Sequence, residues 1–314
     1  MASTGTGTNG HYIRSMADDD RGPLARGLRN TAEVVLRSGL MMTSRWRPPP
    51  EFLVIGGKRC GSTSFYYGLL QHPSVIAMIP AARPPLMREH RKGARYFDDP
   101  KRSPAWYRAH FVTARTRART ARRTGAAVTG EATPWYLCAP GAAEMAGRVA
   151  PDARLIVVVR DPVARAYSHF LEQRRRGHEP LDDFVAALDA ENHRITHGLT
   201  LADGRTVDAA FAHEHLSYAL QGEYGAALDQ WADHFPDDRF TILLSEEFYA
   251  DPPGALSGVA SALGLPDHRF DAEHRNATPP SEIPDLAAQR LRDHYADDIA
   301  RLEARLGRST GWLS

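Results

Sequence analysis

Short unbroken apolar runs alternate along this chain with segments whose apolar residues recur every three or four positions. "FLVIGG" (52–57) is four greasy residues stopped by two glycines, which predicts a short buried strand. "STSFYYGLLQ" (62–71) then places Phe65, Leu69 and Leu70 on one side of a helix, ended by His72 and Pro73. The same unit returns at "RLIVVV" (154–159). This is a β-branched run with Arg160 at its tip and a helix after it, with Asp161 placed to cap that helix and Pro162 suited to its first position. "RFTILLSEEF" (239–248) predicts another buried strand, and "DPPGALSGVASALGLP" (251–266) the helix that follows. Residues 213–231 read as a pair of helices. Residues 281–307 read as one long helix with Leu291, Tyr295, Ile299, Leu302 and Leu306 on one stripe and Gly307 at its end. Strands that are apolar throughout, separated by helices, belong to a parallel sheet flanked by helices on both faces, so the fold class is α/β.

The N-terminal part reads differently. Residues 1–22 are rich in Gly, Thr, Ser and Asp and are expected to be disordered. Residues 23–45 suggest a short helix, stopped by "RPPP" (47–50). The division is therefore an N-terminal extension, 1–50, partly disordered, and a single domain, 51–314.

Composition narrows the chemistry. With 39 basic and 38 acidic residues the net charge is +1, so no global field recruits nucleic acid or an anionic membrane, and any anion site is local. Two cysteines, Cys60 and Cys138, give neither a disulfide framework nor a zinc spacing. No HExxH motif is present, and no metal is expected. No apolar run approaches the ~18–20 residues of a membrane span, and the N-terminus lacks the order of a signal peptide. The chain reads as cytoplasmic. The basic run "ARTRARTARR" (114–123) reads as a solvated helix face, with contact to an anionic acceptor or headgroup as the alternative.

The opening strand ends in a loop that can hold phosphate. The N–H groups at a helix N-terminus are unpaired and carry partial positive charge. Lys58 and Arg59 add full charge, Gly61 lets the backbone come close, and Ser62, Thr63 and Ser64 can donate hydroxyl hydrogen bonds. The ATP-type loop, GxxxxGK[ST], sets its lysine after the second glycine, whereas here both cations precede Gly61. A plain strand–turn–helix junction remains the competing reading. Arg160, at a second strand tip, can fork onto a phosphate, and Ser168, two helical turns later, can reach the same anion. Two such tips imply a ligand with two separated phosphate-like ends.

"KRCGSTSF" (58–65), "RDPVARAYSHF" (160–170) and, more loosely, "ILLSEEFYADPPGALSGVASALGL" (242–265) resemble the motifs of sulfotransferases, in the bacterial and carbohydrate-type branch. The resemblance spans about residues 51–314 and implies a P-loop nucleotide-kinase-like sulfotransferase fold. It also implies 3′-phosphoadenosine-5′-phosphosulfate (PAPS) as sulfuryl donor, leaving adenosine 3′,5′-bisphosphate. By position, Lys58, Arg59, Cys60, Gly61, Ser62, Thr63 and Ser64 would hold the 5′-phosphosulfate, and Arg160 and Ser168 the 3′-phosphate. Arg275, in a late basic loop, would close over it. Arg59 stands where lysine is commoner in the family. Either Arg59 or Lys58 would stabilise the leaving oxygen, and arginine does so by charge, not by giving up a proton. Cys60 would be a small side chain packed under the phosphate, or a reactive thiol beside cations.

One departure concerns the general base. The family segment resembling K-E-x-H-[FY]-F-[DN] falls on "KGARYFDD" (92–99), which puts Gly93 at the glutamate position and Arg95 at the histidine position. The remaining base candidates are Glu131, in a segment similar to the family's G-E-x-[ST]-P, then Glu89, then Asp98, with His90 beside them. Tyr218, Tyr224, Trp135 and Tyr136 either line the acceptor side or pack in the core. The implied acceptor is the hydroxyl, or an amine, of a saccharide, glycolipid or small metabolite. The rival readings are an ATP- and magnesium-dependent small-molecule kinase and a catalytically inactive nucleotide-binding protein. Oligomeric state is not legible.

Overall fold

A computed structural model of the chain describes residues 35–79, 92–99, 101–201, 203–271 and 282–313. In chain order a helix at 35–41 (α1) leads to strand β1, Phe52–Val54, helix α2, Ser62–Leu69, and strand β2, Val75–Ile76. Helices α3, Pro104–Arg108, and α4, Ala114–Thr124, come before β3, Val128–Ala132, and α5, Ala142–Val149. Then come β4, Arg154–Val159, α6, Pro162–Arg175, and α7, Phe184–His197. A small ribbon of β5, Leu199–Thr200, and β6, Thr206–Val207, leads into α8, Ala209–His215, and α9, Tyr224–Ala232. The chain closes with β7, Phe240–Leu244, α10, Ser245–Ala250, α11, Pro252–Ala262, and α12, Asp285–Leu306.

The five-stranded sheet runs β2-β3-β1-β4-β7, with every neighbouring pair parallel. Helices flank it, and the expected α/β class is the one observed. β1 is central because it can be: Phe52, Leu53 and Val54 have no exposed surface, and in β4 Leu155 to Val159 have none either. Each such side chain contributes about 1.5–3 kcal/mol by leaving water. β1 pairs with β3 on one side and β4 on the other, so the chain leaves it in two directions. In an open parallel sheet that reversal opens a crevice at the carboxyl ends of the strands, where ligands bind.

The local signals hold in detail. Asp161 caps α6 by accepting from the Val163 N–H at 3.0 Å, with Pro162 as the first helical residue. α12 buries Leu291, Tyr295, Ile299 and Leu302, and Gly307 ends it in the left-handed region. Two expectations need correcting. The strand read as 239–248 stops at Leu244, where Ser245 begins α10 with Glu246 and Glu247 in its first turn, at the end favoured by helix dipoles. The 213–231 segment holds only the end of α8, a 3-10 turn at Leu220–Gly222 and most of α9.

Candidate functional site

The loop between β1 and α2 sits at the crevice. Gly61 is the N-cap of α2 with φ of 86°, and α2 has no side-chain cap and no acidic residue in its first turn. The positive end of the helix is thus presented by backbone alone. Arg59, just before it, also has positive φ, at 70°. This left-handed turn sends the two adjacent cations to opposite sides.

Arg59 turns toward α6. Its Nε donates to Ser168 Oγ at 3.1 Å, and its guanidinium lies 4.0 Å from Glu172. Burial lowers its pKa, Glu172 opposes this, and Arg160, Arg176 and Arg175 push it lower still. Burial works against the Glu172 carboxylate, but hydrogen bonds from Arg175 and Arg176, with Arg59 nearby, hold its pKa below the usual value. Like charges gathered along α6, from Arg160 before it to Arg176 at its end, favour an anion among them.

Lys58 turns the other way. Its Nζ donates to Glu214 O at 2.7 Å and to Glu214 Oε1 at 3.1 Å, and lies 4.7 Å above the Trp135 ring. Burial brings its pKa down to about 8 against the pull of Glu214. Glu214, near the end of α8, is also held by Arg95, whose NH1 and NH2 reach Oε1 and Oε2 at 2.7 and 2.6 Å. Burial would raise the Glu214 carboxyl, but Arg95 and Lys58 hold it down at about 2. Arg95 also donates to Asp98 Oδ2 from Nε at 3.0 Å and from NH2 at 2.5 Å, while Asp98 Oδ1 is buried without a partner. A further cation joins from the same 92–97 segment as Arg95. Lys92 Nζ donates to Thr63 Oγ1 at 2.7 Å and to Ser62 Oγ at 3.2 Å, in the first turn of α2. Burial alone brings its pKa down to about 8.

The model of the Sulfotransferase family matches residues 50–269. The chain belongs to the sulfotransferase family. Its fold resembles a crystal structure of a sulfotransferase from Alicyclobacillus acidocaldarius, with a TM-score of 0.61 at 26% identity, covering 84% of this chain and 99% of that one. It is 26% identical over 289 residues to human heparan sulfate glucosamine 3-O-sulfotransferase 6, covering 84% of this chain and 73% of that protein. It is 25% identical over 219 residues to mouse bifunctional heparan sulfate N-deacetylase/N-sulfotransferase 4, of which it spans 23%.

In this sulfotransferase the structure gathers Lys58, Arg59, Cys60, Gly61, Ser62, Thr63 and Ser64 on one loop and helix start, with Ser168 hydrogen-bonded to Arg59 and Arg160 directly after β4. Cys60 has no exposed surface. Burial pushes its thiol up to about 11, and it lies 3.6 Å from the Tyr224 hydroxyl, so it packs under the loop. Glu131 ends inside the protein. It has no exposed surface and accepts from Ala94 N at 2.6 Å, Thr133 Oγ1 at 2.8 Å and Tyr136 OH at 3.3 Å, which ties the 92–97 segment to β3. Burial raises its pKa, and those hydrogen bonds oppose the rise. Tyr218 and Tyr224 have no exposed surface, so of the two readings given for them the core one fits. Glu89, His90 and Arg275 lie outside the described residues.

Two residues escaped the sequence reading. Lys92 matches the lysine of the K-E-x-H-[FY]-F-[DN] segment, a signal the sequence offered, but nothing local says that its side chain turns to α2. Glu214 carries no motif. Only the packing of α8 against the loop brings it to Lys58, 156 positions away. Among the described residues no group of three or more His, Cys, Asp or Glu gathers as a metal site would, and no helix is long and apolar enough to cross a membrane.

Proposed function

We propose that the protein is a PAPS-dependent sulfotransferase that moves a sulfuryl group to a hydroxyl, or an amine, of a saccharide. The observation that carries the reading is the division of cations about the α2 N-terminus. Arg59 bonds Ser168 on the side of Arg160, Lys58 turns to Glu214, and Lys92 bonds Thr63 in the first turn of α2; we read the first group as one anion-binding end and the two lysines, with the backbone of α2, as the other. A donor with a 3′-phosphate and a 5′-phosphosulfate has two anionic ends to match, and it supplies an activated sulfuryl group. The first turn of α2, with the Ser62 and Thr63 hydroxyls, binds the 5′ end. Lys58 and Lys92 stabilise charge on the oxygen that leaves, as in phosphoryl transfer, where positioning and electrostatics supply most of the catalysis. The relatives whose names specify glucosamine hydroxyl and amine transfer in heparan sulfate support a glycan acceptor. The loop order, with cations before Gly61, disfavours the kinase reading.

The test is calorimetric titration with adenosine 3′,5′-bisphosphate, without metal, on wild type and Arg160→Ala. A charged hydrogen bond to phosphate is worth about 1.5–3 kcal/mol, so Arg160→Ala should bind at least about tenfold more weakly. A wild type that ignores the bisphosphate and takes ATP only with magnesium would replace this reading by the kinase one.

A further inference from the structure

The family's glutamate position cannot be refilled in this protein. A Cβ on Gly93 would lie 2.3 Å from Thr133 Oγ1 and 2.7 Å from the Ala132 carbonyl oxygen, so the 92–97 segment lies against the end of β3 with no room for a side chain. Ala132 N donates to Lys92 O at 2.6 Å across the same contact. Glu131 lies below it with no exposed surface, bonded to Ala94, Thr133 and Tyr136, so an acceptor has no approach to it. Among the described residues, a carboxylate from another element reaches Lys58. Glu214 Oε1 is 3.1 Å from Lys58 Nζ, its side chain is 15% exposed, and Arg95, at the family's histidine position, grips both of its oxygens.

We propose that Glu214 is the general base of the transfer, with Arg95 as the residue that positions it. The inference rests on the sulfotransferase reading above. In the step, the Glu214 carboxylate takes the proton of the acceptor hydroxyl as that oxygen forms its bond to sulfur. The bond from sulfur to the bridging oxygen breaks, and its electron pair stays on the departing 5′-phosphate, next to Lys58. The proton on Glu214 is then released to water. One feature of the site adapts the carboxylate to this role. Lys58 is shared between Glu214 and the transferred group, so when Lys58 turns to the donor's negative charge Glu214 loses one of the partners that hold its proton affinity down. Arg95 remains and keeps the carboxylate aimed. The same exchange orders the reaction: the base gains strength only when the donor is in place. His215 Nε2 lies 3.7 Å from Glu214 Oε1, and burial brings its pKa down to about 4, so it is neutral at pH 7 and is the rival base.

The test compares wild type, Glu214→Gln and His215→Ala in two readouts. One is calorimetric affinity for adenosine 3′,5′-bisphosphate. The other is transfer from sulfur-35-labelled PAPS to a glucosamine-containing oligosaccharide, with release of inorganic sulfate to water followed in parallel. Glu214→Gln is expected to bind the bisphosphate at least as tightly as wild type and to lose about 100-fold or more in transfer, the scale of general base catalysis. Transfer by Glu214→Gln within about threefold of wild type would overturn the assignment. So would an equal loss of binding and transfer, which marks Glu214 as a structural anchor of the loop. Loss of transfer in His215→Ala with binding intact, alongside an active Glu214→Gln, would move the role to His215. Failure of wild type to bind the bisphosphate would overturn the donor reading itself, and the titration tells that case from the others.

Discussion

Lys92 offers the most direct check on the electrostatics of the loop. Its ammonium is enclosed beside the first turn of α2, and its pKa falls from 10.5 to about 8. At 1.36 kcal/mol per pH unit, charging Lys92 costs about 3 kcal/mol more in the folded protein than in the unfolded chain. Its hydrogen bonds to Ser62 and Thr63 return about 1–3 kcal/mol. Lys92→Met therefore changes stability at pH 7 by a small amount, toward neutral or stabilising. The larger effect is on the pH dependence. Below about pH 8 both states hold the proton, so nothing changes with pH. Between about 8 and 10.5 the unfolded chain holds a proton that the folded protein has released, so folding stability rises with pH. From pH 7 to 9.5 that rise amounts to about 2 kcal/mol, and Lys92→Met lacks it. Urea denaturation of both proteins at pH 7, 8.5 and 9.5 measures the difference, with the other titrating groups common to both. The bound anion acts the other way. A phosphate at Ser62 and Thr63 favours the ammonium, so bisphosphate affinity falls as pH passes 8, and less so in Lys92→Met. A stability difference between the two proteins that stays constant from pH 7 to 9.5 would refute the burial of this charge.

The close contact at Gly93 predicts that Gly93→Ala destabilises the protein by about 1–3 kcal/mol, because the overpacked Cβ must push Thr133 and the β3 end aside. Thermal denaturation reads this, and a Gly93→Ala protein as stable as wild type would show that the segment has room. Burial of Cys60, with its thiol pushed up to about 11, predicts that iodoacetamide at pH 8 leaves it unmodified in the native protein and alkylates it in urea. Mass spectrometry of the loop peptide decides this, and rapid native labelling would place the thiol in the open crevice instead.

The sequence by itself determined the local units. Runs such as Leu155–Val159 had no face to give to water, so they became strands buried on both sides. Asp161 and Pro162 started α6, and Gly307 ended α12, because caps act on groups within a turn of themselves. The loop chemistry was legible for the same reason: Lys58 to Ser64 and the α2 N-terminus are neighbours in the chain. The tertiary structure decided which side chains meet across the crevice. No local pattern separates Lys58 from Arg59, yet the left-handed backbone at Arg59 sends one to Glu214 and the other to Ser168. No spacing brings Glu214 to Lys58, and the motif that Lys92 opens does not say that its side chain turns onto α2. Glu131 carried a readable motif, but whether its carboxylate faces the crevice or the core depends on how 92–97 lies on β3, and that is set by packing between distant segments. Periodicity and capping report what a residue does within its own element. Which element it faces is fixed by sheet order and by the fit of helices onto the sheet, and those are properties of the whole chain.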